Sequence, residues 1–96
     1  MLEKDIEQYA VKEAKRRGIL TWKLSSPARR GVPDRIFMAD GVVYFREFKA
    51  PGGTPTPLQQ HYLCLLTLEG FDADCIDSKA GVDRFFRKID KQRRVK

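Results

Sequence analysis

The sequence predicts a small α/β domain whose elements follow the order α-β-β-β-α-β-α. Three observations indicate this: apolar residues recur at helical spacing in three segments, β-rich runs lie between them, and an Asp-Gly pair separates two of those runs. The chain has 96 residues, of which 42% are hydrophobic and 33% charged, so we expect a single domain over 1–96 with a thin core. No apolar run approaches the roughly 20 residues that a membrane-spanning helix needs.

Each of the three predicted helices has an apolar stripe. The first covers residues 2–17, which lack Gly and Pro and are followed by Gly18 as a C-cap. The second covers 57–69 and ends at Gly70, and the third covers about 79–90. We expect the second helix to bury Leu58, Tyr62, Leu65 and Leu66. We expect the third to bury Val82, Phe85, Phe86 and Ile89.

The strands are predicted from short β-rich runs bounded by turn residues. They cover residues 19–24, 34–39, 42–49 and 71–76. The segments between them, 25–33 and 50–57, are rich in Pro, Gly, Ser or Thr and are predicted to be loops. Trp22 and Tyr44 occupy strand positions that are usually packed, so we expect both in the core.

Two features predict an intracellular, cytoplasmic protein with reduced thiols. Cys64 and Cys75 lie far apart and belong to no CxxC or Cys/His cluster, so we expect them to be small buried hydrophobes. The first residues, MLEKDIEQY, are charged where a secretory signal is apolar.

Positive charge is concentrated at the C-terminal end. The chain carries 19 Lys and Arg against 13 Asp and Glu, a net charge of +6, and the excess lies entirely within 79–96. The basic tail from about residue 88 is therefore either a contact for a nucleic-acid backbone or a solvated, frayed terminus. A second group, before and within the 25–33 loop, has hydroxyl, amine and guanidinium groups that suit phosphate oxygens. These candidate DNA-binding residues are Lys23, Ser25, Ser26, Arg29 and Arg30.

A two-residue turn at Asp40-Gly41 would fix the register of a hairpin, because paired residue numbers then sum to 81. Asp34 then faces Glu47, and Lys49 points to the same side two residues further on. Like charges directly opposite each other are destabilising unless something compensates. A divalent cation would do so, since Mg²⁺ binds through one or two carboxylates and keeps several waters. A surface ion pair between Lys49 and either acid is the simpler alternative.

These residues belong to a pattern that resembles the VRR-NUC family of PD-(D/E)xK nucleases. The pattern consists of Gly31-Val32-Pro33-Asp34, Glu47-Phe48-Lys49 and Gln59. The resemblance covers nearly the whole chain and implies a restriction-endonuclease-like core, with a small mixed sheet flanked by helices, of the stand-alone kind found in phages and bacteria. It also implies a Mg²⁺ or Mn²⁺ site in which Asp34, Glu47 and the main-chain carbonyl of Phe48 are ligands and Lys49 is the catalytic amine.

Gln59 has two predicted roles that are compatible. In the family this glutamine lies at the edge of the active site, which implies a smaller loss on substitution than at Lys49. The residues Thr56-Pro57-Leu58-Gln59 also form a capping box with proline at the first helical position, so that Gln59 would bond back to the backbone of Thr56.

An acidic residue from the first helix completes the metal site in related nucleases. Glu3 and Glu7 are four residues apart and therefore share one helix face. The resemblance favours Glu7, which lies about three turns before the helix-ending glycine, and leaves Glu3 as the alternative.

Together these inferences predict a metal-dependent endonuclease that acts on double-stranded or branched DNA. Similarity to Holliday-junction resolvases supports a branched substrate. A chain with one site can cut two strands only when two chains act together, so we expect a homodimer. The competing hypothesis is a non-catalytic nucleic-acid-binding module that uses the basic loop and tail.

Overall fold

The structure, a computed structural model, describes residues 1–24, 28 and 30–95, the last two by their backbone alone. Its elements, in chain order, are α1 (Glu3–Arg16), β1 (Leu20–Lys23), β2 (Arg35–Ala39), β3 (Val42–Phe48), α2 (Pro57–Leu68), β4 (Asp72–Ile76) and α3 (Lys79–Val95). The predicted α/β fold class and element order are therefore confirmed. No helix in the described part of the chain is long and apolar enough to cross a membrane.

The four strands form one mixed sheet in the order β1-β2-β3-β4. The first three pair antiparallel, and β4 joins the outer side of β3 in parallel. Helices α1 and α3 contact each other and cover one face, where Phe37 and Tyr44 from the sheet meet Phe85 from α3 at ring-centroid distances of 5.1 and 5.6 Å. Helix α2 packs against β4 instead. One sheet face therefore carries the buried core, and the other is only partly covered.

The hairpin register follows the predicted turn. The pairs run from Ala39 and Val42 to Arg35 and Arg46, and each pair sums to 81 as expected. Asp40 and Gly41 both have positive φ, at 52° and 81°, as a two-residue turn that matches the twist of the strands requires.

Several burial predictions were wrong, and the partly covered sheet face explains the first of them. Tyr44 is buried as expected, but Trp22 is 57% exposed because its side of β1 does not face the core. Cys64 is exposed and Cys75 is half-buried, so neither behaves as a fully buried hydrophobe. Helix α2 packs against β4, and Leu63 is its one buried residue. The expected Leu58 and Leu65 are exposed.

The first part of the basic C-terminal tail is helical and packs on the domain rather than being frayed. Helix α3 continues to Val95, and two of its late side chains dock on the rest of the domain. The Tyr44 hydroxyl donates a hydrogen bond to Gln92 Oε1 at 2.7 Å, and Arg93 Nη1 donates to the main-chain carbonyl of Arg17 at 3.1 Å. The basic segment is therefore ordered on the domain through residue 93.

Gly31, the first residue of the GVPD segment, lies against α2. Its φ is +86°, and a Cβ placed on it would lie 2.6 Å from Leu58 Cγ and 3.2 Å from Tyr62 Cδ2. The backbone conformation therefore favours glycine, and a Cβ there would also force the exposed Leu58 side chain to move.

We predict that Gly31→Ala lowers the free energy of unfolding by about 2–4 kcal/mol, because left-handed strain and overpacking add. Gly18→Ala is the matched control, since Gly18 also has positive φ but a Cβ added there would meet nothing within 4 Å. The control should lose only about 1–2 kcal/mol in urea denaturation. Equal losses for the two variants would contradict the proposed contact.

Candidate active site

The candidate site lies where β2 begins and β3 ends. Extending the observed register by one residue places Asp34 across from Glu47, as predicted. Lys49 directly follows β3, and its Nζ lies 3.7 Å from Glu47 Oε2. The hairpin thus brings two carboxylates and one amine together.

Glu47 is the most unusual side chain in this group. It is only 2% exposed, and its Oε2 accepts a hydrogen bond from Gln59 Nε2 at 2.9 Å. Its other oxygen, Oε1, is buried and has no hydrogen-bond partner among the described residues. Burial, reinforced by the negative charge of Asp34, raises the pKa of Glu47 to about 7. This carboxylate is therefore held in a place where its charge is poorly compensated by the protein.

Asp34 is tied to the neighbouring strand through the main chain. Its Oδ2 accepts a hydrogen bond from the backbone amide of Phe48 at 2.7 Å, which fixes the carboxylate beside Glu47. Burial raises the pKa of Asp34, and the negative charge of Glu7 adds to the rise although the Phe48 amide opposes it. Phe48 therefore contacts Asp34 through its backbone amide, whereas its main-chain carbonyl stays a predicted metal ligand.

Gln59 uses the two ends of its amide for different purposes. Its Oε1 accepts from the backbone amide of Thr56 at 2.8 Å, while its own backbone amide donates to Thr56 Oγ1 at 3.2 Å. These bonds are the predicted capping box. The Nε2 end is left to hold Glu47, so the start of α2 and the buried carboxylate are connected by one side chain.

Both acidic candidates of α1 lie near the site but differ in environment. Glu7 is buried, and its Oε2 is 2.7 Å from Arg35 Nε and 3.4 Å from Lys23 Nζ. Glu3 is exposed, and its charge contributes to the raised pKa of Glu47. Glu7 is therefore the ordered acid, already engaged by two cations.

Arg35 and Arg46 are register partners on the hairpin, and each has an acidic partner on another element. Arg35 pairs with Glu7, while Arg46 Nη2 lies 2.7 Å from Asp72 Oδ1. The Arg46 guanidinium also lies 4.2 Å from the centroid of the Phe85 ring. Strand alternation puts both arginines on the face opposite Glu47, so two buried or half-buried cations there indicated that neighbouring elements must supply acids.

The predicted DNA-binding group is only partly described. Ser25, Ser26 and Arg29 lie outside the described residues. Arg30 is exposed, and Lys23 is exposed while its amine reaches Glu7. Lys23 therefore lies beside the acids on the β1 side, and both Lys23 and Arg30 stay predictions as phosphate contacts.

The donor set suits a hard divalent cation through a pair of carboxylates. Within residues 1–24, 28 and 30–95, no group of three or more His, Cys, Asp and Glu side chains is placed to hold a metal ion. Mg²⁺ is commonly held by only one or two carboxylates, with water and substrate oxygens completing the shell. The unpartnered Oε1 of Glu47 is an oxygen donor that the protein leaves available for such an ion.

Comparisons with known proteins identify a relative named as a nuclease and a solved structure of the same fold. Over 78 residues the chain is 40% identical to a protein of Acyrthosiphon pisum secondary endosymbiont phage 1 described as "Putative nuclease p44", covering 80% of this chain and 84% of that protein. It is also similar to a solved structure of a VRR_NUC domain, with a TM-score of 0.80, 28% identity and coverage of 88% of this chain and 94% of the other. No protein-family model matches the chain.

The four-stranded mixed sheet, with paired acids at the end of its central hairpin, therefore defines a nuclease of the PD-(D/E)xK-like fold, a fold that generally uses divalent metals. The chain belongs to the VRR-NUC family.

We predict that Glu47→Gln stabilises the metal-free protein. Below about pH 4.5 the carboxyl is protonated whether the chain is folded or unfolded. Between there and about pH 7 only the unfolded chain ionises, so wild-type stability falls as pH rises through this window. At pH 8 with chelator, the variant should gain roughly 1–3 kcal/mol in urea denaturation and lose this pH dependence.

Glu3→Gln is the matched control because Glu3 is an exposed acid near the same site. It should change the free energy of unfolding by less than about 0.5 kcal/mol. A Glu47→Gln protein that is less stable than wild type at pH 8 would show that the buried carboxylate is well compensated.

Proposed function

We propose that this protein is an endonuclease that hydrolyses phosphodiester bonds in DNA and depends on Mg²⁺ or Mn²⁺. The single observation that carries the proposal is the buried Glu47 carboxylate, which has one unpartnered oxygen and lies beside Asp34, Lys49 and Gln59. A folded protein gains little stability from such a group. Its retention is explained by a ligand that the carboxylate binds.

Asp34 and Glu47 would hold the metal with the main-chain carbonyl of Phe48, and Glu7 is preferred over Glu3 as the acid from α1. When bound, the ion supplies charge neutralisation at the phosphate and lowers the pKa of a bound water. The burial of Glu7 and the effect of its charge on the pKa of Asp34 support this preference.

The protein's own side chains have separable tasks in this reaction. The Lys49 ammonium, beside Glu47, orients the attacking water or steadies negative charge that develops on the phosphate. Gln59 fixes the rotamer of Glu47 through the bond from its amide and is a positioning residue. Lys23 and Arg30, with Ser25, Ser26 and Arg29, would contact the phosphates that flank the scissile bond.

Branched DNA is the proposed substrate, and a homodimer the proposed form. Similarity to Holliday-junction resolvases supports the substrate, and a chain with one site needs a partner to cut two strands. The uncovered sheet face supports a second copy as that partner, because it is apolar and continuous with the candidate site. Its exposed or half-buried side chains include Leu20, Trp22, Ile36, Met38, Val43 and Phe45.

We predict that the protein is a dimer in solution and that Trp22→Lys shifts it to monomer, because a charge would be buried in an apolar interface. Leu68→Lys is the control, since Leu68 is 78% exposed at the end of α2 and does not belong to the sheet. Sedimentation velocity at matched concentrations distinguishes the two. A monomeric wild-type protein at about 50 μM would contradict the dimer, since stable interfaces reach micromolar affinity or better.

The proposed activity predicts cleavage of four-way-junction DNA in Mg²⁺ or Mn²⁺ and none in chelator. Lys49→Ala and Asp34→Asn should each lower the cleavage rate by at least about 10²-fold, because each removes a group that acts on the reacting phosphate. Gln59→Ala should lose less, since it acts through Glu47. The assay compares junction, flap and plasmid DNA under single-turnover conditions.

Lys79→Ala serves as the matched lysine control, because Lys79 is exposed at the start of α3 and contacts the ring of Tyr9. It should cut at the wild-type rate. If these proteins bind DNA and none of them cleaves it, the result would favour the non-catalytic binding module. Cleavage that persists in the Lys49→Ala and Asp34→Asn variants would overturn the site assignment. Cutting confined to one short sequence would indicate a restriction enzyme.

A further inference from the structure

Helix α3 separates its charges between two sides. Both of its acidic residues face α1: Asp83 accepts a hydrogen bond from the Tyr9 hydroxyl at 2.6 Å, and Asp90 pairs with Arg17. The opposite side carries four exposed cations in i, i+3, i+4, i+7 spacing, and they line one shallow groove. We call them the α3 basic stripe: Arg84, Arg87, Lys88 and Lys91.

Most of this stripe has no acidic partner. Lys88 pairs with Asp72, but Arg84, Arg87 and Lys91 make no ion pair or side-chain hydrogen bond with any described residue. Several like charges on adjacent turns of one helix repel each other by a few tenths of a kcal/mol per pair. The helix therefore carries a small electrostatic cost that an anionic ligand would relieve.

The stripe begins at the β4 edge of the sheet, next to the strand that carries Glu47 but on the face opposite the Glu47 side chain. Arg84 and Lys88 line, together with Cys75 of β4, a cleft of about 210 Å³ between the strand and the helix. Cys75 is the register partner of Glu47, and adjacent strands lie about 4.8 Å apart. Asp74 and Asp77 also line this cleft, so the positive potential is strongest on the outer side, around Arg87 and Lys91.

We propose that the α3 basic stripe is a second binding surface for the phosphate backbone of duplex DNA, separate from the Lys23 to Arg30 group. From Arg84 to Lys91 the stripe runs about 10 Å along the helix axis. The stripe therefore extends from the β4 edge of the sheet along the exposed side of α3, where it holds a duplex arm that extends away from the cleaved bond. The inference rests on the proposed function only in taking DNA as the ligand.

The test measures affinity for a fluorescent 30-base-pair duplex by anisotropy, in chelator so that no cleavage occurs. The stripe variant is Arg84→Gln, Arg87→Gln and Lys91→Gln together, because glutamine keeps the helix propensity. The matched control is Lys4→Gln, Lys12→Gln and Lys15→Gln, which removes three cations from α1 and changes the net charge equally.

The stripe variant should bind at least about tenfold more weakly at 50 mM salt, and its slope of log affinity against log salt should fall by roughly 2–3, since each phosphate contact contributes about 0.9. The control should lose less than about threefold and keep the slope. Equal effects of the two triples, or no effect of the stripe variant, would overturn the proposal. Thermal melts of both variants check that they fold.

A cleavage arm keeps this result apart from the proposed function. On a junction with long arms the stripe variant should raise KM by about tenfold and leave kcat within about twofold, because the stripe binds DNA but does not touch the reacting phosphate. If the wild-type protein binds the duplex but never cuts DNA, the proposed activity is refuted. The binding comparison of the two triple variants would still test whether the α3 basic stripe binds DNA. An equal fall in kcat and kcat/KM would overturn a purely binding role.

Discussion

The candidate site depends on keeping one carboxylate, that of Glu47, buried beside another. The strand that carries Glu47, β3, is an inner strand that pairs with β2 on one side and with β4 on the other. Placing an acid there costs stability because its charged form loses water. The surrounding residues limit this cost without removing it: Lys49 approaches one oxygen and Gln59 bonds it, while the other oxygen is left without a partner in the described chain.

Strand alternation explains how so small a sheet serves two purposes. On one face of the hairpin, Phe37 and Tyr44 build the core with α1 and α3, and on the other Glu47 meets α2. The arginines that alternate with the site acids lie on the core side, where Glu7 and Asp72 neutralise them. A one-residue slip of β3 would exchange these environments, placing Glu47 in the core and Arg46 at the site. The Asp40-Gly41 turn therefore protects the chemistry as well as the fold.

The hairpin and the helix caps could be predicted from the sequence because they are set by local rules. The Asp-Gly turn fixed the register of Asp34 and Glu47, and Thr56 with Gln59 marked the start of α2. The exposure of Trp22 and Leu58 could not be predicted, since it depends on which part of the sheet α2 covers. The pairing of Glu7 with Arg35 likewise depends on how α1 crosses the sheet, which no short-range pattern encodes.

Gln59 has a further consequence for how the domain tolerates change. One planar amide both begins a helix and holds the buried acid, so the two jobs cannot be optimised separately. A carboxylate at this position would still cap the helix but would repel Glu47. A hydrocarbon side chain would neither cap the helix nor bond Glu47. The positions of α2 and Glu47 are therefore coupled, because a displacement of α2 away from the sheet would also move the Gln59 amide away from Glu47. The environment of the Glu47 carboxylate therefore depends on the position of α2 as well as on the sheet.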